Sequence, residues 1–136
     1  MESIAALLIK RARETPEETA LHLPAGGGCA TFSWSDVARD VRRTFAALQR
    51  LGVRPGDHVA LLSENRYEWL LCDLATQCAG AVHVPLHASL TGPQVAVQLR
   101  HSESSILILS GDEQAEKLRR CTDLLPADLN CYSLDP

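Results

Sequence analysis

Three short apolar runs constrain this chain more than any other feature: residues 58–62, 81–86 and 106–109, each followed by a stretch with helical spacing. Runs this short that are apolar throughout suit strands buried on both faces, and such strands alternating with helices imply a parallel sheet. Each right-handed crossover lays its helix on one face of that sheet. The predicted class is therefore α/β: a parallel, doubly wound sheet with flanking helices. A weaker strand at 129–132 completes the order strand, helix, strand, helix, strand, helix, strand.

Two elements are expected ahead of the sheet. Residues 3–13 place Ile4, Leu7, Leu8 and Ala12 at helical spacing, and Pro16 lies just past a point where that helix can stop. Few large apolar residues line this stripe, so packing on the domain is expected in preference to lying on a membrane. Residues 20–23 and 29–33 flank Pro24, Ala25, Gly26, Gly27 and Gly28, and read as a hairpin whose glycines supply positive φ. The glycine run is not a phosphate loop, because a strand follows it where an anion would need a helix N-terminus.

Local signals bracket the helices. Ser33 to Asp36 fits a capping box, and Trp34, Val37, Val41, Phe45 and Leu48 then recur every three or four residues up to Gly52. Gly52 is the expected left-handed cap, with Val53 packing back on the last turn. Asn65 with Glu68 reads as a second capping box, for a helix closed by Gly80. Thr91, Gly92, Pro93 and Gln94 open a third helix running to about His101, and a fourth is expected over residues 112–121, with Asp112 as its cap.

At 136 residues, 46% hydrophobic and 22% charged, the chain has ordinary globular composition and fits one domain, residues 1–136. A net charge of −4 leaves no basic stripe to neutralise phosphates, which argues against a nucleic-acid partner. The longest apolar stretches fall far short of the ~20 residues that cross a bilayer. The apolar run 4–9 precedes Lys10, Arg11 and Arg13, the reverse of a signal peptide, so a cytoplasmic location is expected. The cysteines are five and include no CxxC pair, so reduced thiols are expected rather than a zinc knuckle or a disulfide framework.

In a sheet of this kind ligands gather outside the carboxyl ends of the strands. The positional candidates are Ser63, Glu64 and Asn65, then His87, Ala88 and Ser89, then Ser110, Gly111 and Asp112. Helix capping and loop polarity account for them without a ligand. His83 and His87 with Cys72 and Cys78 invite a metal reading. The two cysteines, however, lie roughly 240° apart around a helix and do not face one point. There is no Gly-x-Ser-x-Gly elbow, so no catalytic, cofactor-binding or metal residue is assigned.

Between Ala30 and Gly111 the chain resembles the N-terminal portion of adenylate-forming enzymes, and among them the AMP-forming long-chain acyl-CoA synthetases. Five phrases in order carry the resemblance: Thr31 to Val37, Leu51 to Ala60, Leu62 to Trp69, Ala79 to Leu86, and Gln94 to Ser104. Most of these residues are turns, caps and buried strands. The resemblance implies that the whole enzyme uses ATP, magnesium and coenzyme A. A fatty acid carboxylate attacks the α-phosphate of ATP, and the thiol of coenzyme A then displaces AMP. It also implies that the Ser/Thr/Gly-rich phosphate loop, the magnesium-positioning acid, the ribose-binding aspartate and the catalytic lysine lie later than this stretch. The expected role is an inactive N-terminal fragment whose partner is the remainder of the synthetase, with self-association through an exposed sheet edge or helix face. The alternative is a stand-alone α/β binding or interaction module derived from that family.

Overall fold

The computed structural model describes residues 3–135. Ser3 caps α1 (Ile4–Glu14), its hydroxyl accepting from the Ala6 N–H at 3.1 Å. β1 (Thr19–Ala25) and β2 (Gly28–Ser33) then form an antiparallel hairpin. Its loop is only Gly26 and Gly27, at φ 39° and 91°, so Pro24, Ala25 and Gly28 extend the strands beyond their expected limits.

The Ser33 capping box forms as expected at the start of α2 (Trp34–Arg50): Asp36 N–H donates to Ser33 Oγ at 3.2 Å, and Ser33 N–H to Asp36 Oδ2 at 3.1 Å. At the other end Gly52 has φ 87°, and the N–H of buried Val53 reaches the Leu48 carbonyl at 3.1 Å. That is the expected Schellman ending. Gly80, at φ 69°, closes α3 (Tyr67–Cys78) in the same way, with Ala81 N–H bonded to the Thr76 carbonyl.

β3 (His58–Ser63), β4 (Val82–His87), β5 (Ile106–Leu109) and β6 (Asn130–Ser133) form a parallel sheet in the order β4-β3-β5-β6. Side chains alternate between its faces. Val59, Leu61, Ile106 and Ile108 pack with α1, α2 and α3. Ala60, Leu62, Leu107 and Leu109 pack with α4 (Gly92–His101) and α5 (Asp112–Arg119). The sheet is thus doubly wound, as the alternation of runs implied.

Three expectations need correction. The Asn65–Glu68 box does not form: Arg66 is the N-cap, extended at φ −151°, and its guanidinium takes Glu68 while reaching across to the Ser110 carbonyl just past β5. Asp112 is not a cap but the first residue of α5, after Gly111. Burial on both faces holds for β3 and β5 but not for β4, an edge strand whose Val82 is 46% exposed. Pro85 on that edge removes a donor where no neighbour needs it.

Candidate functional site

The strand exits gather at one end of the sheet. β3 leaves toward α3 on one face while its neighbour β5 leaves toward α5 on the other, which is the topological switch point where such sheets open a crevice. The sequence candidates 63–65 and 110–112 flank this point, and 87–89 lies beside it on β4's exit.

Two hydrogen-bonded chains cross the strand exits. In the first, Gln114 on α5, 1% exposed, donates to Glu64 Oε1 at 2.5 Å and accepts from Lys117 Nζ at 2.7 Å. Lys117 also donates to the Ala88 carbonyl at 2.5 Å, so the exits of β3, β4 and β5 are tied together. The Ser110 hydroxyl first, then the Glu64 backbone and Gln114, hold the Glu64 carboxyl below the usual carboxylate range. In the second, Arg66 donates to the Ser110 carbonyl at 3.0 Å and pairs with Glu68 at 2.8 Å and Asp135 at 3.0 Å. Asp135 fits because Gly111 has no side chain: a Cβ there would stand 2.7 Å from Asp135 Oδ2.

Of the candidate residues, Glu64, Ala88, Ser110 and Gly111 enter these chains, Ser63 is buried with its hydroxyl donating to the Glu64 carbonyl at 2.8 Å, and Asn65, His87, Ser89 and Asp112 are exposed around them. Sequence reasoning missed Arg66, Gln114, Lys117 and Asp135. Arg66 meets Ser110 across 44 positions and Gln114 meets Glu64 across 50, so no local spacing announces either contact. A groove of about 580 Å³ lies beside the crevice, between residues 89–93 and α5. Of its charged lining, Glu116 holds Arg120 as well as Arg119, and Lys117 is committed as above, whereas Glu113 enters no ion pair among the described residues.

Of the metal candidates, Cys72 is buried, Cys78 is half-buried and His87 is exposed. Among the described residues no three His, Cys, Asp or Glu side chains gather to hold an ion. Burial pushes the Cys72 thiol up to about 11, which keeps it protonated and a poor nucleophile at neutral pH.

His83 instead forms a buried pair with α3. Its side chain is 7% exposed, with Nδ1 2.8 Å from Asp73 Oδ1 and the Trp69 ring edge-on at 5.2 Å. Nε2 is buried with no hydrogen-bond partner among the described residues. Burial pulls the His83 pKa below its ordinary 6.5, and Asp73 only partly opposes this. The unfolded chain therefore takes up a proton before the folded one, so stability is full above the ordinary value and falls as pH drops through it. In denaturant titrations, wild type is expected to lose stability between pH 7.5 and 5.5, by at most about 1.4 kcal/mol per pH unit for one proton. His83→Gln is expected to flatten that slope. A wild-type curve that is level or rises toward acid over this window contradicts the assignment.

The switch point is thus bridged by hydrogen bonds and ion pairs among the protein's own side chains. Comparison with known proteins agrees in fold: the N-terminal subdomain of Klebsiella oxytoca NpsA superposes with a TM-score of 0.82 at 18% identity, covering 98% of this chain and 31% of that one. The long-chain-fatty-acid-CoA ligase FadD15 of Mycobacterium tuberculosis is 29% identical over 126 residues, 93% of this chain and 21% of the ligase. This chain thus spans about a fifth of that relative's length. The protein Rv1549 of the same organism is 36% identical over 93 residues, 68% of this chain and 52% of Rv1549. Among the described residues no helix is long and apolar enough to cross a membrane. The model of the AMP-binding enzyme family matches residues 8–136, nearly the whole chain, and with the fold already in agreement the chain belongs to that family.

Proposed function

We propose that residues 1–136 serve as the first part of the N-terminal domain of an AMP-forming fatty-acyl-CoA ligase, a scaffold that carries no catalytic group of its own. The family match over residues 8–136 carries this reading, and the likeness to FadD15 favours a fatty acid as the substrate of the whole enzyme. The whole enzyme would use ATP, magnesium and coenzyme A in the cytoplasm. The residues present do not fit those groups. Lys117 is engaged by a carbonyl and an amide and Arg66 by two carboxylates, which leaves neither free for a triphosphate.

Replacing the matching stretch of FadD15 with this chain tests the reading. The chimera is expected to retain most of its acyl-CoA formation, while the chain by itself releases no pyrophosphate and gains no thermal stability from ATP. A folded but inactive chimera, or pyrophosphate release by the chain alone, overturns it.

Rv1549 favours a second reading. The matched stretch makes up half of that protein but a fifth of FadD15, so it also occurs joined to far less chain. A stand-alone α/β module would sediment as a monomer at high concentration and unfold cooperatively. A scaffold separated from its partner would self-associate through an uncovered edge or helix face.

A further inference from the structure

α1 lies across α2 and α3 and leaves an open groove along one flank, beside β1, with a cavity of about 510 Å³. That volume falls within the ~300–1,000 Å³ typical of small-molecule sites. Leu8 anchors the helix at 5% exposure, whereas Ile4 and Leu7 at the groove remain 58% and 44% exposed. Trp34 from α2 and Leu70 and Leu74 from α3 form the opposite walls. Every lining residue is apolar except Arg11, which follows Leu7 by one helical turn. Arg11 enters none of the ion pairs among the described residues.

An apolar trough whose rim carries one cation in no ion pair with a described residue has the complementarity of a single-chain amphiphilic anion. We propose that the groove binds a single-chain alkyl carboxylate, its chain lying along Leu7, Leu70 and Leu74 and its head group on Arg11. A purely apolar occupant would leave Arg11 without a counter-charge against the groove. A bilayer is disfavoured because only Ile4, Leu7 and Ile9 of α1 are large, apolar and exposed, too few for a continuous apolar stripe. The site lies on the layer of α1, α2 and α3, away from the strand exits, and does not depend on the ligase reading.

Trp34 in the groove wall reports occupancy directly, and Trp69→Phe leaves it as the sole tryptophan. Titration with bromine-labelled dodecanoate, below its micelle concentration, is expected to quench Trp34 saturably with one site per chain. Arg11→Gln is expected to weaken binding about tenfold, the scale of one charge-assisted hydrogen bond. Bromine-labelled dodecyltrimethylammonium is expected to bind at least as weakly as dodecanoate does to that variant. Should Trp69→Phe fail to fold, calorimetry of the unaltered chain against Leu7→Glu serves instead, since Leu7 is largely exposed and its acidic replacement opposes an anion. Absence of saturation, equal binding of anion and cation, or an Arg11→Gln variant that binds normally overturns the proposal. So does quenching seen only with phosphatidylglycerol vesicles, or only as sedimentation detects a dimer, because the face would then belong to a bilayer or to a second copy.

Discussion

Replacing Gly92 with alanine is expected to lower stability by about 2–3 kcal/mol in a denaturant titration. Helix propensity alone points the other way, since alanine is the better helix former. Space decides the sign. Gly92 is the first residue of α4, and a Cβ there would stand 2.5 Å from Cys121 Sγ and 2.9 Å from the Lys117 carbonyl. The thiol is buried, and the carbonyl belongs to α5, so relief requires α5 to shift as a unit. That shift would also strain the bonds from Lys117 to Ala88 and from Gln114 to Glu64. Cys121→Ala in the Gly92→Ala background is expected to recover part of the loss, because it removes the sulfur contact and leaves the carbonyl contact. A double-mutant cycle measures that coupling. Gly111→Ala makes the useful contrast: its Cβ would meet only the far end of the Asp135 side chain, which can swing away. Its cost should be clearly smaller. A Gly92→Ala protein as stable as wild type would mean that α4 and α5 do not approach this closely.

What the sequence made legible follows the reach of each interaction. The Ser33 box, the helix start at Thr91–Gln94 and the glycine endings at Gly52 and Gly80 each involve residues within five positions of one another, and each formed as read. The run of apolar segments gave the winding of the sheet, because both faces of β3 and β5 must be covered. The Asn65 box failed although its spacing was correct, because Arg66 is held by Ser110 just past β5 and by Asp135, partners that no local pattern contains. The same limit hid the crevice network. Its polar residues read as loop polarity and exposed charge until the sheet order β4-β3-β5-β6 brought the three exits together. The family resemblance reached further than the spacing did, since five phrases in order identify a scaffold even when none identifies a reaction.

Apolar runs of similar appearance also concealed how differently their residues are placed, and mutation should expose the difference. Leu61 sits at the centre of β3, between Pro85 of β4 and Ile108 of β5, with no surface exposed. It packs in the layer with Val37, Val41 and Leu74. Leu61→Ala is expected to cost about 3–4 kcal/mol, from the lost burial and from a cavity that two flanking strands and two helices cannot readily close. A domain of this size is stable by only about 5–15 kcal/mol, so this one change should remove a large share of it. Val82→Ala on the edge strand should change stability by less than about 0.5 kcal/mol, because that side chain is already 46% exposed. Leu62→Ala should resemble Leu61→Ala in size although it empties the opposite layer, against Val95 and Leu99 of α4. Denaturant midpoints of the three variants decide the matter. A Leu61→Ala protein within 1 kcal/mol of wild type, or a Val82→Ala protein as damaged as the other two, would mean that β3 is not the buried centre of the sheet.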